Sequence, residues 1–159
     1  MKKLLSIILS LCLLLSFAAA EEAPAAKEAA KMSAEELCGA GKEAYDAGKF
    51  EKAVEYWQLA ADQGSAKAQF NMGVLYEFGE GVEQSFEKAL EYYRLAADQG
   101  FALAQYNLGL MYAGGKGVEQ SDEKTAEYFL LAADQGLAEA QFNIGLMYYH
   151  GRGVEQSYE

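Results

Sequence analysis

The stretch ALAQYNLGLMYAGGKGVEQSDEKTAEYFLLAADQGL, residues 102–137, decides the fold. Moved back by 36 residues it falls on 66–101, and the two blocks agree at 22 of 36 positions, among them Gln69/Gln105, Asn71/Asn107, Gly73/Gly109, Tyr76/Tyr112 and Gly79/Gly115. Moved forward it falls on 138–159. A fixed period in this range marks a repeat array, in which each unit buries its apolar face only against its neighbours. Within a unit the order is helix, glycine loop, helix. The first helices are expected over Ala66–Phe78, Ala102–Ala113 and Ala138–Tyr149, and the second over Ser85–Asp98 and Ser121–Asp134. Ser85 and Ser121 suit the N-cap, with Glu87, Asp122 and Glu123 favourable in the first turn. Gly64, Gly100 and Gly136 suit the C-terminal stop, where a left-handed residue ends a helix. No segment alternates with period 2 over a useful length, so no sheet is expected.

Upstream of the repeats, Ser33-Ala34-Glu35-Glu36 has the S-x-x-E form of a capping box and predicts a helix running to about Ala47, stopped by Gly48. Phe50–Asp62 follows as a second helix. Its apolar residues Phe50, Ala53, Val54, Trp57, Ala60 and Ala61 keep the i, i+3, i+4, i+7 spacing of one helical face.

The segment from Gly41 to Ala60 resembles a tetratricopeptide repeat. Small Gly41 and Ala53 let two antiparallel helices approach, and Tyr45 and Trp57 fill the space around that contact. The later units carry an inserted glycine loop, Gly79-Glu-Gly81-Val82-Glu-Gln-Ser85, which recurs at Gly115–Ser121 and Gly151–Ser157. With A-x-A-Q-x-N-x-G-x-x-Y before it and E-K-x-x-E-Y-x-x-L-A-A-D-Q-G after it, the chain resembles the Sel-one-like repeat family, a branch of the tetratricopeptide repeats. The resemblance runs from about Ser33 to the end. It implies an all-α fold: paired antiparallel helices stacked into a right-handed α-α superhelix, a solenoid used as a protein-binding scaffold. The expected organisation is a signal peptide (1–20), a spacer (21–32), a tetratricopeptide-like hairpin (33–64), two full Sel-one-like repeats (65–100 and 101–136) and a truncated one (137–159). Glu159 falls in the first turn of another second helix, which suggests a fragment of a longer array, since terminal repeats normally carry a polar cap.

Lys2 and Lys3, the apolar run Leu4–Phe17 and Ala18-Ala19-Ala20 have the form of a cleavable secretory signal. The run is short for a membrane span, which needs about 20 residues. A periplasmic or secreted location follows as an expectation, with no membrane association after cleavage. The whole chain has 13 basic and 24 acidic residues, a net charge of −11. Removing Lys2 and Lys3 with the signal leaves 11 basic against 24 acidic, formally −13. Such a balance argues against nucleic acid, whose binding is driven by basic patches, and against anionic membranes. One cysteine, Cys38, remains after cleavage; it reads as a small buried core residue, because a free thiol behaves as a hydrophobe.

Residues that could carry chemistry have simpler readings. The three G-x-G loops follow helices and lack the third glycine or lysine of a nucleotide motif, so they read as turns with positive φ. Val82, Val118 and Val154 are expected to tuck inward and anchor them. His150 is alone and far along the array from Cys38, and no His, Cys or carboxylate set has metal-ligand spacing. The carboxylates mostly recur from unit to unit, as caps or solvated faces. Asn71, Asn107 and Asn143 also recur and read as structural, bonding backbone between neighbouring hairpins. No cofactor or metal is expected.

By resemblance to tetratricopeptide geometry, the first helices line a concave wall. An aromatic row (Phe70, Tyr106, Phe142) and an aliphatic row (Val74, Leu110, Leu146) run along it, flanked by Glu77 and Tyr149. These eight residues are the candidate groove for a protein or peptide partner; the same rows are also open to reading as core between repeats, since aromatic stripes at helical spacing usually are. The leading expectation is a non-enzymatic exported scaffold. A second follows from secreted cysteine-rich members of the family linked to penicillin binding and weak β-lactamase activity; this chain departs from them in lacking their paired cysteines, and no S-x-x-K motif of the serine β-lactamases is expected to operate in it. A third is an accessory arm of a larger enzyme.

Overall fold

The computed structural model describes residue 29 and residues 31–155. The signal-peptide reading of 1–20 and most of the spacer lie outside these residues. The chain divides into two units, 1–33 and 34–159. Of the first, a turn is described in which the Met32 amide donates to the Ala29 carbonyl at 3.1 Å. The described residues of the second form seven α-helices: α1 (Ala34–Asp46), α2 (Phe50–Asp62), α3 (Ala66–Phe78), α4 (Phe86–Asp98), α5 (Ala102–Gly114), α6 (Asp122–Asp134) and α7 (Ala138–His150). There is no strand among the described residues, and none of their helices is long and apolar enough to cross a membrane. The fold is an all-α repeat superhelix.

The expected elements are all present, with ends shifted by one residue. Ser85 and Ser121 stand outside α4 and α6 as N-caps; each hydroxyl accepts from the amide three residues on, Lys88 at 3.2 Å and Lys124 at 3.1 Å. Ser65 caps α3 in the same way through the Ala68 amide. Gly64, Gly100 and Gly136 adopt φ of 86°, 82° and 87° and turn the chain out of α2, α4 and α6. The amides that follow, Ser65, Phe101 and Leu137, return to Ala60, Ala96 and Ala132, which satisfies the carbonyls a helix end leaves open.

The two helices of each described hairpin pack most closely on each other, and each second helix packs next on the first helix of the following unit. The close approach is made at a glycine. A Cβ on Gly73 would lie 2.5 Å from the Tyr93 ring, one on Gly109 2.5 Å from the Phe129 ring, and one on Gly41 would overlap Trp57. Tyr45 lies 5.5 Å from Trp57, as the hairpin reading requires. The core is built from alanines that admit these rings and from longer aliphatics that fill between them: Ala53, Ala89, Met72, Leu75, Tyr93 and Leu108 have no exposed surface. Each long side chain so buried contributes about 1.5–3 kcal/mol of transfer free energy. Cys38 is buried as expected and lies 3.3 Å from the Ser65 hydroxyl.

The candidate groove and the junctions between repeats

The glycine loops hold the array in register. Gly79, Gly115 and Gly151 are left-handed caps on α3, α5 and α7. The second glycine of each loop also has positive φ, and it meets the start of the second helix of the preceding unit: a Cβ on Gly81 would lie 2.6 Å from the Phe50 carbonyl carbon, and one on Gly117 2.6 Å from that of Phe86. The loops thus clamp one hairpin on the next, with no phosphate cradle involved. Val118 and Val154 are half-buried against the core clusters, as expected of loop anchors.

The residue between the two glycines bridges units. Glu80 accepts from the Tyr45 hydroxyl at 2.8 Å, and that bond, ahead of burial, raises the Tyr45 pKa. Lys116 donates to Glu77 at 3.0 Å and lies 5.6 Å from the Phe86 ring centroid. Arg152 grips both oxygens of Asp122, at 2.8 and 3.1 Å.

Glutamines form a second ladder that the sequence reading missed. Gln69, Gln105 and Gln141 donate to the carbonyls of Ala61, Ala97 and Ala133 at the end of the preceding second helix. Gln69 and Gln105, buried, then accept from Gln99 and Gln135, both at 2.7 Å. The signal was the recurrence of Q in A-x-A-Q and D-Q-G, at the end where the preceding helix leaves carbonyls open. The loop glutamines are also structural: Gln84 and Gln120 donate to the Glu77 and Ala113 carbonyls.

The asparagines behave differently from expectation. Asn143 donates to the Tyr106 hydroxyl at 3.0 Å, and Asn107 bonds the Tyr93 hydroxyl. Their partners are side chains of the preceding unit, where backbone was expected. The reason is local: the neighbouring carbonyls are engaged within helices, whereas a phenol buried in the junction needs a partner.

Contrary to the expectation of no S-x-x-K motif, that spacing occurs twice, at Ser85–Lys88 and Ser121–Lys124. The geometry is that of caps. Each hydroxyl accepts from an amide and donates to a glutamate, Glu87 at 3.1 Å or Glu123 at 3.0 Å. The lysine ammonium groups lie elsewhere, over the Tyr76 ring for Lys88 and on Glu127 for Lys124. His150 ends α7, exposed, with its ring against Tyr149. No cluster of three or more potential metal ligands occurs among the described residues.

The eight groove candidates occupy two kinds of place. Phe70 is half-buried against Tyr93 and Phe101, at 5.7 and 5.3 Å, and Val74 packs on the same cluster. Tyr106 stacks on Phe129 at 5.4 Å. Glu77 lies between the Tyr93 hydroxyl and Lys116. Leu110 is 42% exposed even though two helices follow it, and Leu146 is 43% exposed at the matching register of α7. Phe142, at 67%, and Tyr149 are exposed on the last helix. A Cβ on its Gly145 meets nothing within 4 Å among the described residues, where the earlier helices meet an aromatic ring.

Tyr93 is the most perturbed titratable group. Burial, then the charge of Glu77 and its hydrogen bond, push its pKa far above the ordinary tyrosine range, against a smaller lowering by Asn107. Burial likewise raises Tyr92 and Tyr128, which stack on Tyr76 and Tyr112.

With this geometry described, its relatives are informative. The Sel1 repeat profile matches residues 29–65, 66–101, 102–137 and 138–159, so the first hairpin is matched too, although it lacks the glycine loop. Among solved structures, the chain is similar to a Sel1 repeat protein from Oxalobacter formigenes, with 36% identity and a TM-score of 0.73 over 77% of this chain and 49% of that one. It is similar to a protective antigen present in uropathogenic Escherichia coli strains, displaying an SLR fold, with 38% identity and a TM-score of 0.68 over 69% and 23%. Helicobacter pylori cysteine rich protein B shares the fold at 21% identity and a TM-score of 0.57, over 71% and 98%. The chain therefore spans about a quarter to a half of the first two relatives. No curated protein gives a significant match. Proteins with these repeats are generally protein-interaction scaffolds. Four matched units and their shared junction geometry make this chain a member of the Sel1 repeat family.

Proposed function

We propose that this chain is an exported, non-enzymatic scaffold that binds a protein or peptide through the concave face of its first helices. Phe70, Val74, Glu77, Tyr106, Leu110, Phe142, Leu146 and Tyr149 form that face, and Leu110 and Leu146 are its contact row. The observation that carries the reading is the 42% exposure of Leu110 within the array. An aliphatic side chain left open at the same register of successive helices, with aromatics packed beneath it, suits apolar anchors of a helical or extended segment. Export rests on the form of residues 1–20.

A pull-down from the periplasmic fraction tests the face. Leu110→Asp combined with Leu146→Asp is expected to abolish capture of whatever the parent retains, with the helical circular dichroism unchanged; full capture by this variant sinks the assignment. N-terminal sequencing tests export, with Glu21 expected as the first residue. Nitrocefin turnover by the purified mature chain would overturn the non-enzymatic part.

A further inference from the structure

The two described junctions between glycine-loop repeats, from 65–100 to 101–136 and from 101–136 to the repeat that begins at 137, are not alike, and the difference leaves a pocket in the second. At the first junction the space between α3, α4 and α5 is filled. The Glu77 side chain, 14% exposed, enters it and meets the Tyr93 hydroxyl at 2.9 Å and the Lys116 ammonium at 3.0 Å. At the second junction the two side chains that met in that space are smaller, and their neighbours are engaged with other partners. Ala113 stands where Glu77 would, and Phe129, without a hydroxyl, stands for Tyr93. Asp122 replaces Phe86 and draws Arg152 onto itself. Asn143 turns to the Tyr106 hydroxyl. What remains is a cavity of about 180 Å³ lined by Ala113, Phe129, Leu146 and Met147, with Thr125, Asn143 and the Asp122–Arg152 pair completing it.

From this comparison within one chain we infer that the second junction is a side-chain pocket that anchors a bound peptide by a single apolar residue of phenylalanine or leucine size. The size follows from the volume, since an apolar cavity of about 150 Å³ accepts benzene. A charged group is disfavoured, because the one cation at the pocket is already paired with a carboxylate, and Thr125 and Asn143 donate to the Ser121 carbonyl and the Tyr106 hydroxyl. Leu146 belongs both to the wall and to the exposed aliphatic row, so the pocket is continuous with the face proposed above, and the inference rests on that reading. The charge of −11 favours a basic sequence around the anchor.

The test uses the mature chain and three acetylated, amidated peptides, Lys-Lys-Ala-X-Ala-Lys-Lys with X as Phe, Ala or Glu. Methyl-resolved NMR follows Ala113, Leu146 and Met147 in the pocket and Val74 and Leu110 along the row. The Phe peptide is expected to bind, as read by the methyls of the three pocket residues, at least tenfold more tightly than the Ala or Glu peptide. Ala113→Glu with Phe129→Tyr rebuilds the first junction and should remove that tenfold preference. Ala113→Leu fills the space from a half-exposed position and should do the same should the double variant fold poorly. Binding that shifts Leu110 and Val74 but spares the pocket methyls, or a Phe preference that survives both filled variants, overturns the pocket and leaves the face standing. Absence of any shift along the row at millimolar peptide overturns both.

Discussion

Gly73→Ala is the sharpest test of the packing, because the chain contains its own control. The added Cβ would lie 2.5 Å from Cδ1 and 2.6 Å from Cε1 of Tyr93, and ordinary contact begins at 3.4 Å, so about 0.9 Å must be found. The ring cannot supply it cheaply. Tyr93 has no exposed surface, its hydroxyl is held by Glu77 at 2.9 Å, and Phe70 lies 5.7 Å away on one side. The helices must separate, which places the overpacking cost near the top of its usual range, about 3 kcal/mol. Alanine returns about 1 kcal/mol through helix propensity. The net expectation is a loss of about 2 kcal/mol. At Gly145, the register mate on α7, a Cβ meets nothing within 4 Å among the described residues. Gly145→Ala then keeps only the propensity term and gains about 1 kcal/mol. Urea unfolding followed by circular dichroism reads both. With a slope of about 2 kcal/mol per molar, the midpoint falls by about 1 M for Gly73→Ala and rises by about half that for Gly145→Ala. A Gly73→Ala chain as stable as its parent, or a Gly145→Ala chain less stable, refutes the reasoning.

Other consequences can be measured separately. Ser85→Ala and Ser121→Ala each remove a capping bond and should cost about 1 kcal/mol; calorimetry of the double variant should give close to the sum, since the caps belong to different helices. Gln105→Leu leaves the Ala97 carbonyl and the Gln135 amide without their partner and should cost about 1–3 kcal/mol in chemical denaturation. Alkaline stability should depend on Tyr93. Its folded pKa lies above the unfolded value of 10.0, so the neutral phenol stabilises the fold fully below pH 10 and that contribution is lost as pH rises past it. Tyr93→Phe, although less stable at neutral pH, should show a shallower decline above pH 10 in thermal melts.

Much of this was legible beforehand because a repeat states its periodicity several times. Ser85 and Ser121 announced their helices, since a cap is a contact within four residues. Gly41 and Trp57 announced the hairpin, because a small residue facing a large one is a pattern along a single turn of chain. The glutamine ladder was less legible, although A-x-A-Q and D-Q-G repeat plainly, because its bonds join residues 30 apart across a junction. The asparagines showed the same blindness: their recurrence was visible, but not that a phenol of the unit before would be the partner.

From sequence alone came the all-α class, the number and order of helices, the turns at Gly64, Gly100 and Gly136, and the balance of charge. These rest on short-range sterics and on spacing, which each repeat restates. Only the tertiary structure decided which apolar residues are core and which face outward. Phe70 and Leu110 both belong to rows at helical spacing, yet one lies under two rings and the other stays 42% exposed. Only the structure, too, turned three changes spread over 113, 122 and 129 into one cavity. Those positions share one hairpin, but the space they leave becomes a cavity only where Leu146 and Met147 of the next hairpin close over it, and volume is a property of that contact.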